Sequence, residues 1–297
     1  MKKCCLSVAA LCAAFLSCFG PSGCSQQGGK AEDKPVAMHM HWLRDMASEE
    51  AQFETVRAAG VRLVEISGRQ SLSAEELKAL LDKYELRTIG MYVGGLDGGL
   101  NELRNNLDGL VAFNKAIGNR VLVVPSVPRE ERPDTAQGWI ALGRELGQLA
   151  ERAAAAGMLL AYHNHDFEMV EFGGKTALEL LFESAVSALK AEVDVAWVAR
   201  GGRDPAEMLE RLSGRVYSIH AKDNWPEGEG EAERGFADVG SGVLDWAAIL
   251  PAAARAGVQS SLSTTALTTR QSQSGVARSI SRHICLRGRS TDERNYI

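Results

Sequence analysis

The chain has 297 residues, of which 45% are hydrophobic and 24% are charged, and its formal net charge is −5. This length suits one large α/β domain or two small domains, and the composition is that of an ordinary globular protein. The mildly acidic balance argues against a nucleic-acid partner, because such partners call for a basic protein surface.

The amino terminus is predicted to be an export signal. A short basic start precedes an apolar stretch too short for a membrane span, and the polar segment after Cys24 has no apolar period. This pattern resembles a bacterial lipoprotein signal over residues 1–24, with a lipid on Cys24 and a flexible tether over residues 25–35. Pro21 is unusual in such a signal, so Cys18 and an ordinary cleaved signal peptide stay open as alternatives. We expect an exported chain, lipid-anchored to the membrane in the periplasm.

Cysteine usage fits a fold that does not depend on thiols. Five of the six cysteines lie in the predicted leader, and Cys285 is the exception. The rest of the chain is therefore expected to have neither a disulfide framework nor a cysteine metal site. Such a domain must be stabilised by a sizeable apolar core, which this length allows.

Seven strand-and-helix units are predicted to follow the leader. The apolar runs are rich in Val, Ile and Leu, as in strands covered on both faces. Ser73 with Glu76 three residues later predicts a capping box, and Asp204 before Pro205 predicts a helix start. The predicted strands are 36–42, 61–67, 87–93, 119–126, 158–165, 190–198 and 215–223, and the predicted helices are 48–60, 73–86, 99–118, 135–157, 176–187, 204–214 and 244–257.

This strict alternation predicts a parallel α/β architecture, and the unit length favours a (β/α)8 TIM barrel. The alternative is a doubly wound open sheet. That fold would be expected to have a glycine-rich phosphate turn after the first strand, and the segment HMHWLRD has no glycine.

Polar side chains, most of them able to bind a metal ion, lie at the predicted carboxyl ends of the strands, where a barrel carries its chemistry. Imidazoles and carboxylates without thiolates suit Mn²⁺, Co²⁺, Zn²⁺ or Fe²⁺ better than Ca²⁺. Each residue also has a structural interpretation, such as a hydrogen-bonded core histidine, a Glu65–Arg pair or a core Trp197. The side chains at the strand ends are His39, His41, Glu65, His163, His165, Asp166, Glu168, Asp194, Trp197, His220, Lys222 and Asp223. The occurrence of His163, Asp194 and His220 on three successive strand ends predicts a divalent metal site.

The segments YHNHDFE, EVDVAWVARGGRDP and GRVYSIHAKD resemble the sugar phosphate isomerase/epimerase family of xylose-isomerase-like TIM barrels, over about residues 36–259. The resemblance implies one divalent metal ion held by His163, Asp194 and His220, with His165 and Glu168 as competitors for the first position. It also implies a sugar isomerase, an epimerase or a keto-sugar lyase. In such an enzyme a proton is transferred next to a metal-bound carbonyl, through an enediolate.

Further roles are expected for other residues at the strand ends. Glu168 or His165 is expected to assist the proton transfer, and Lys222 to stabilise the developing oxyanion. His41, Glu65 and Trp197 are expected to contact the sugar. Two other functions stay open, a non-catalytic sugar-binding lipoprotein or inactive pseudoenzyme, and a DNA-repair endonuclease of the same superfamily. The negative charge and the export signal argue against the endonuclease.

The sequence changes character after Gln259. The resemblance places an eighth strand there with a Glu as fourth ligand, whereas residues 260–297 are rich in Ser, Thr and Arg and have no acid before Asp292. One interpretation is a disordered tail. The other is a reading-frame shift, because LSTTALTTRQ can be encoded by codons that read EHDGADDPA one base earlier. Both predict a barrel that lacks its eighth unit, is open between its seventh and first strands, and is poorly stable and weak or inactive.

Overall fold

The computed structural model describes residues 36–68, 71–94, 99–258 and 262–264. Eight parallel strands form a closed barrel in which each strand pairs with its neighbour in sequence and the eighth pairs with the first. The predicted (β/α)8 fold is therefore confirmed. In chain order the barrel strands are Val36–His39, Leu63–Ile66, Arg87–Tyr92, Val121–Val124, Leu159–His163, Leu189–Asp194, Val216–Ala221 and Leu262–Thr264.

Helices cover the outside of the barrel, and the two helix starts predicted at Ser73 and Asp204 are confirmed. The Ser73 hydroxyl accepts a hydrogen bond from the Glu76 N–H, and the Glu76 carboxylate accepts one from the Ser73 N–H, which completes the capping box. The helices are Glu49–Ala58, Ala74–Lys83, Gly99–Ala116, Ala136–Ala155, Ala177–Ser184, Val195–Arg200, Pro205–Arg211 and Trp246–Arg255. None of the helices in the described part of the chain combines the length and the apolar character that a membrane span requires.

Two glycines bring a pair of these helices close together. A Cβ on Gly143 would lie 2.2 Å from the backbone oxygen of Leu181, and one on Gly147 would lie 2.9 Å from the backbone nitrogen of Val186. A side chain at either position would separate helix Ala136–Ala155 from the segment at Ala177–Ser184. The buried cluster between helices and strands includes Leu146, Leu160 and Leu178 in this region.

Several strands end earlier than predicted. The sixth strand ends at Asp194 instead of continuing to residue 198, because the Asp194 carboxylate accepts hydrogen bonds from the N–H groups of Ala196 and Trp197 and caps a short helix. The first strand ends at His39, so His41 lies in a 3-10 helix, Met40–Leu43. The fifth strand ends at His163, so His165 lies in the loop that follows.

The barrel closes where an opening was predicted. The eighth strand has three residues, and Ser263 is in register with Ala37 of the first strand and with His220 of the seventh. The predicted gap between the seventh and first strands is therefore wrong. Strand pairing uses backbone groups, so a Ser- and Thr-containing segment can satisfy both edges without an apolar pattern. Of the eighth strand-and-helix unit, this strand is the part that the structure describes.

Several predictions fall on residues that the structure does not describe. They are the signal over residues 1–24 with Cys24, the tether over 25–35, and the tail over 260–297 apart from Leu262–Thr264. These remain predictions from sequence.

Candidate metal centre and aromatic rim

The three predicted metal ligands meet at the carboxyl end of the barrel. His163 and Asp194 end the fifth and sixth strands, and His220 is the penultimate residue of the seventh. Their candidate ligand atoms all lie within 4.8 Å of one another, and all three residues are buried. Asp194 Oδ2 lies 3.7 Å from His163 Nε2 and 3.8 Å from His220 Nδ1. The structure thus brings together side chains that are up to 57 residues apart in sequence, from 163 to 220.

Glu65 joins this cluster from the second strand. Its Oε2 lies 2.6 Å from His39 Nδ1 and 2.7 Å from His220 Nε2. His39, Glu65 and His220 form a second group of ligand atoms within 4.8 Å of one another. For Glu65 the sequence left two alternatives, contact with the substrate or a pair with an arginine. The structure places its carboxylate between two histidines and, in the part of the chain that it describes, does not show the arginine pair.

Two further members of the cluster were missed from sequence. Glu192 is fully buried, and its Oε1 lies 3.2 Å from His163 Nδ1 and 3.1 Å from His220 Nε2. Tyr92 places its ring 4.7 Å from the His39 ring and stacks at 6.2 Å on His220. The signal for Glu192 was available, because it lies two residues before Asp194 on a strand and so points to the same side.

Burial and the crowding of charges shift the pKa values of the histidines in opposite directions. Burial, with the nearby His220 as the second cause, lowers the pKa values of His39 and His163, which favours neutral rings. Burial would also lower the pKa of His220, but the negative charges of Glu192 and Glu65 raise it to about 10. A bound cation would favour the deprotonated form of each ligand.

The side chains fit a divalent metal ion. The donors are imidazole nitrogens and carboxylate oxygens, which borderline cations accept. Among the described residues, His163 Nδ1 and Glu192 Oε1 are buried polar atoms without a hydrogen-bond partner. Buried polar atoms are normally paired, so these two indicate that the hydrogen bonding of the cluster is incomplete without a further proton or ion.

Of the three predicted catalytic residues, Glu168 does not point to this cluster. It is buried, accepts a hydrogen bond from the Tyr162 hydroxyl at 2.6 Å through Oε1, and accepts one from the His165 N–H at 2.8 Å through Oε2. Burial raises its pKa to about 7. Both oxygens are thus used to fix the loop after the fifth strand.

His165 and Lys222 do lie beside the cluster. The His165 ring is 5.1 Å from the His163 ring and 5.3 Å from the Trp197 ring, so it lies between them. Burial lowers its pKa well below the usual value, and its Nδ1 has no hydrogen-bond partner among the described residues. The Lys222 ammonium group donates to Asp194 Oδ2.

An aromatic rim surrounds the outer side of the cluster. We use this name for His41, Trp42, Phe236, Trp197 and His165, whose rings contact one another in that order at centroid distances of 6.0, 6.1, 5.2 and 5.3 Å. The rim joins the cluster at both ends, because His41 lies 5.8 Å from His39 and His165 lies 5.1 Å from His163. His41 and Trp197 were predicted to contact substrate and both belong to it, whereas Trp42 and Phe236 were missed.

Asp223 holds the loop that carries Phe236. Residues Asp223–Asn224 pair with Phe236–Ala237 as a small antiparallel sheet. The Asp223 carboxylate is buried and accepts hydrogen bonds from the N–H groups of Gly240 and Leu244 and from the Trp246 indole. This residue was predicted only as a polar strand-end residue, and its role in the structure is to order the rim.

Comparisons with known proteins agree with this architecture. A rhizopine catabolism protein, MocC, of Rhizobium meliloti is 26% identical in an alignment that covers 65% of this chain and 69% of that protein. The crystal structure of a sugar phosphate isomerase/epimerase from Parabacteroides distasonis has a TM-score of 0.62 at 22% identity and covers 83% of this chain and 92% of that one. The structure of the IOLI protein with a zinc atom has a TM-score of 0.66 at 14% identity and covers 82% and 94%.

The sequence model of one family also matches most of the chain. It is described as xylose isomerase-like TIM barrel and matches residues 53–280. The match therefore extends beyond residue 259, where we expected the resemblance to end. The strand order, the cluster at the carboxyl ends of the strands and this match lead to one conclusion: the chain belongs to the xylose isomerase-like TIM barrel family.

Proposed function

We propose that this protein is a divalent-metal-dependent sugar isomerase or epimerase, or a keto-sugar lyase. The observation that carries the proposal is the convergence of His163, Asp194 and His220 at the carboxyl end of a barrel of this family. Barrel enzymes place their active sites at this end.

The donor set supports Zn²⁺, Mn²⁺, Co²⁺ or Fe²⁺ as the ion. The zinc atom in the IOLI structure is a property of that protein, and it supports a similar site here. When bound, the ion would polarise a substrate carbonyl and lower the cost of removing a proton from the neighbouring carbon.

His165 is the better candidate for the proton-transfer group. It lies between the ligand His163 and the rim residue Trp197, and its buried Nδ1 has no partner among the described residues that would compete for a proton. Glu168, with both oxygens engaged, would instead hold the His165 backbone in place. Lys222, beside Asp194, would stabilise negative charge on a substrate oxygen.

The aromatic rim supports a sugar as substrate. Trp42 and Trp197 are partly exposed and flank the buried Phe236, an arrangement that offers apolar ring surface to the C–H groups of a sugar. The cations near the rim already have partners. The Arg200 guanidinium lies 3.6 Å from the Phe236 ring and donates to Asn224, and Lys222 donates to Asp194. This favours an unphosphorylated sugar over a sugar phosphate.

The test combines metal content with proton exchange. We expect the purified protein to hold one divalent ion per chain by elemental analysis and to exchange a sugar C–H next to a carbonyl with deuterium from the solvent, followed by NMR. His220→Ala should weaken metal binding by more than about 100-fold and abolish the exchange, because it removes one ligand of three.

Glu168→Gln is the matched control for metal content, since it changes a buried residue at the same barrel end that contacts no predicted ligand side chain in the described structure. A wild-type chain that binds no metal would disprove the proposal. Binding of a sugar without any exchange would instead support a non-catalytic sugar-binding protein, which the Leu-Ser-Thr sequence of the eighth strand favours because the family resemblance implies a Glu there.

A further inference from the structure

We infer that Glu192 is a positioning residue of the metal centre, which uses one carboxylate oxygen to fix the orientation and the tautomer of both ligand histidines. This inference rests on the proposed metal site. It adds to that site a residue that has no role in the function proposed above.

Each ligand histidine faces Asp194 with one nitrogen and Glu192 with the other. For His163 the distances are 3.7 Å from Nε2 to Asp194 Oδ2 and 3.2 Å from Nδ1 to Glu192 Oε1. For His220 they are 3.8 Å from Nδ1 to Asp194 Oδ2 and 3.1 Å from Nε2 to Glu192 Oε1. The two rings therefore present opposite nitrogens to the same pair of carboxylates.

This arrangement assigns different tasks to the two carboxylates. A neutral imidazole has one N–H and one lone pair, so a nitrogen that binds an ion forces the proton onto the other nitrogen. With the ion on the Asp194 side, His163 would carry its proton on Nδ1 and His220 on Nε2, and both protons would face Glu192 Oε1. A carboxylate in this outer position fixes the ring and increases the basicity of the ligand nitrogen.

The barrel register holds Glu192 in that position. Glu192 is the backbone partner of His163 on the fifth strand and of Ser218 on the seventh, and Asp194 is the partner of His220. The Ser218 hydroxyl donates to Glu192 Oε2 at 3.0 Å. One oxygen is thus anchored by serine, and the other lies next to both imidazoles.

The remaining unmet hydrogen bonds point to the same role. His163 Nδ1 and Glu192 Oε1 face each other at 3.2 Å, yet both are without a hydrogen-bond partner among the described residues. Glu65 contacts the outer nitrogen of His220 as well, at 2.7 Å, but Glu192 contacts the outer nitrogens of both ligands. A proton on His163 Nδ1 and a small rotation of the ring towards Glu192 Oε1 would satisfy both atoms.

The experiment compares Zn²⁺ binding by the full chain with binding by Glu192→Gln, using calorimetry on metal-free protein. We expect the affinity to fall by about 10- to 100-fold, the usual loss when the outer partner of a metal-binding histidine is changed. Long-range ¹H–¹⁵N NMR of the Zn²⁺-loaded protein should show the proton of His163 on Nδ1 and that of His220 on Nε2, and a mixture of tautomers in the variant. Glu168→Gln, the change of another buried carboxylate, should leave both readouts unaltered.

The outcomes separate this inference from the proposed function. Unchanged affinity and tautomers in Glu192→Gln, with normal Zn²⁺ binding by the wild type, would overturn the inference and leave the metal site intact. No Zn²⁺ binding by the wild type would overturn both. If Glu192→Gln does not fold, Ser218→Ala releases the anchored oxygen and is judged by the same two readouts, with weaker binding expected and unchanged binding contradicting the inference.

Discussion

At the scale of single residues, the ionisation of Glu168 makes the stability of the folded state depend on pH. Burial raises its pKa from 4.5 to about 7, so the folded chain binds this proton more tightly than the unfolded chain does. Between these two values the folded state holds the extra proton, and this contribution to stability is lost as the pH rises through about 7. This pKa shift corresponds to a change in the free energy of unfolding on the order of 3 kcal/mol.

Glu168→Gln tests this contribution, because glutamine imitates the protonated acid and cannot ionise. Its amide can accept from the His165 N–H and donate to the Tyr162 oxygen. We expect wild type to lose stability relative to the variant between about pH 5 and about pH 8, as measured by urea denaturation. A stability difference that stays constant over this range would mean that Glu168 is ionised in the fold throughout.

Residue identity predicted the convergence of three candidate ligands better than it predicted the positions of the residues around them. His163, Asp194 and His220 were found because each ends or nearly ends a strand, and the ends of parallel strands meet. Because side chains alternate along a strand, the sequence also predicts that Glu192 points to the same side as Asp194, two residues later. Glu192 was nevertheless not among the predicted site residues. Glu168 was assigned to catalysis because it follows the histidines closely, but a loop turns it back towards Tyr162. Beyond the end of a strand, the spacing of residues in the sequence no longer predicts which way a side chain points.

At the scale of elements, the loop from Asp223 to Trp246 depends on one buried carboxylate. Each Asp223 oxygen accepts two hydrogen bonds, from the N–H groups of Asn224 and Leu244 on one side and from the Gly240 N–H and the Trp246 indole on the other. Because this loop carries Phe236, the order of the aromatic rim depends on the same residue.

Asp223→Asn should therefore destabilise the protein by about 2–3 kcal/mol, since either amide orientation places an NH₂ group against two donors. Urea denaturation measures this loss, and sugar binding should weaken with it because Phe236 is displaced. Asp245→Asn is the matched control: Asp245 caps helix Trp246–Arg255 through one bond to the Ala248 N–H, and asparagine caps a helix equally well. A loss of equal size in both variants would contradict the role given to Asp223.

Element boundaries followed local side-chain chemistry more than hydrophobic pattern. The apolar run after Asp194 was predicted as strand to residue 198, and the Asp194 cap converts Val195–Arg200 into a helix. That conversion ends the strand at the candidate ligand Asp194 and brings Trp197 to the rim. The predicted existence and order of the seven units were correct, because each combined a long periodic pattern with a cap or a stop.

At the scale of the whole molecule, barrel closure could not be predicted from apolar patterning. Leu262–Thr264 pairs with both edges through backbone groups, which the sequence pattern does not encode. Closure of the backbone and completion of the site are separate properties. The strand places Ser263 in register with His220, where the family resemblance implies a carboxylate nearby.

Restoring the alternative reading frame after Gln259 separates these two properties. We expect the restored chain, with Glu at or next to the position of Ser263, to bind its metal more tightly and to melt at least about 5 °C higher than the present chain, because it gains a ligand and an apolar eighth unit. A restored chain in which this Glu is replaced by Gln should keep the gain in melting temperature and lose the gain in affinity. Melting by calorimetry and metal binding by titration measure the two effects, and sugar isomerisation should follow the affinity. Equal melting temperature, affinity and activity in the present and restored chains would refute the hypothesis of a reading-frame shift after Gln259.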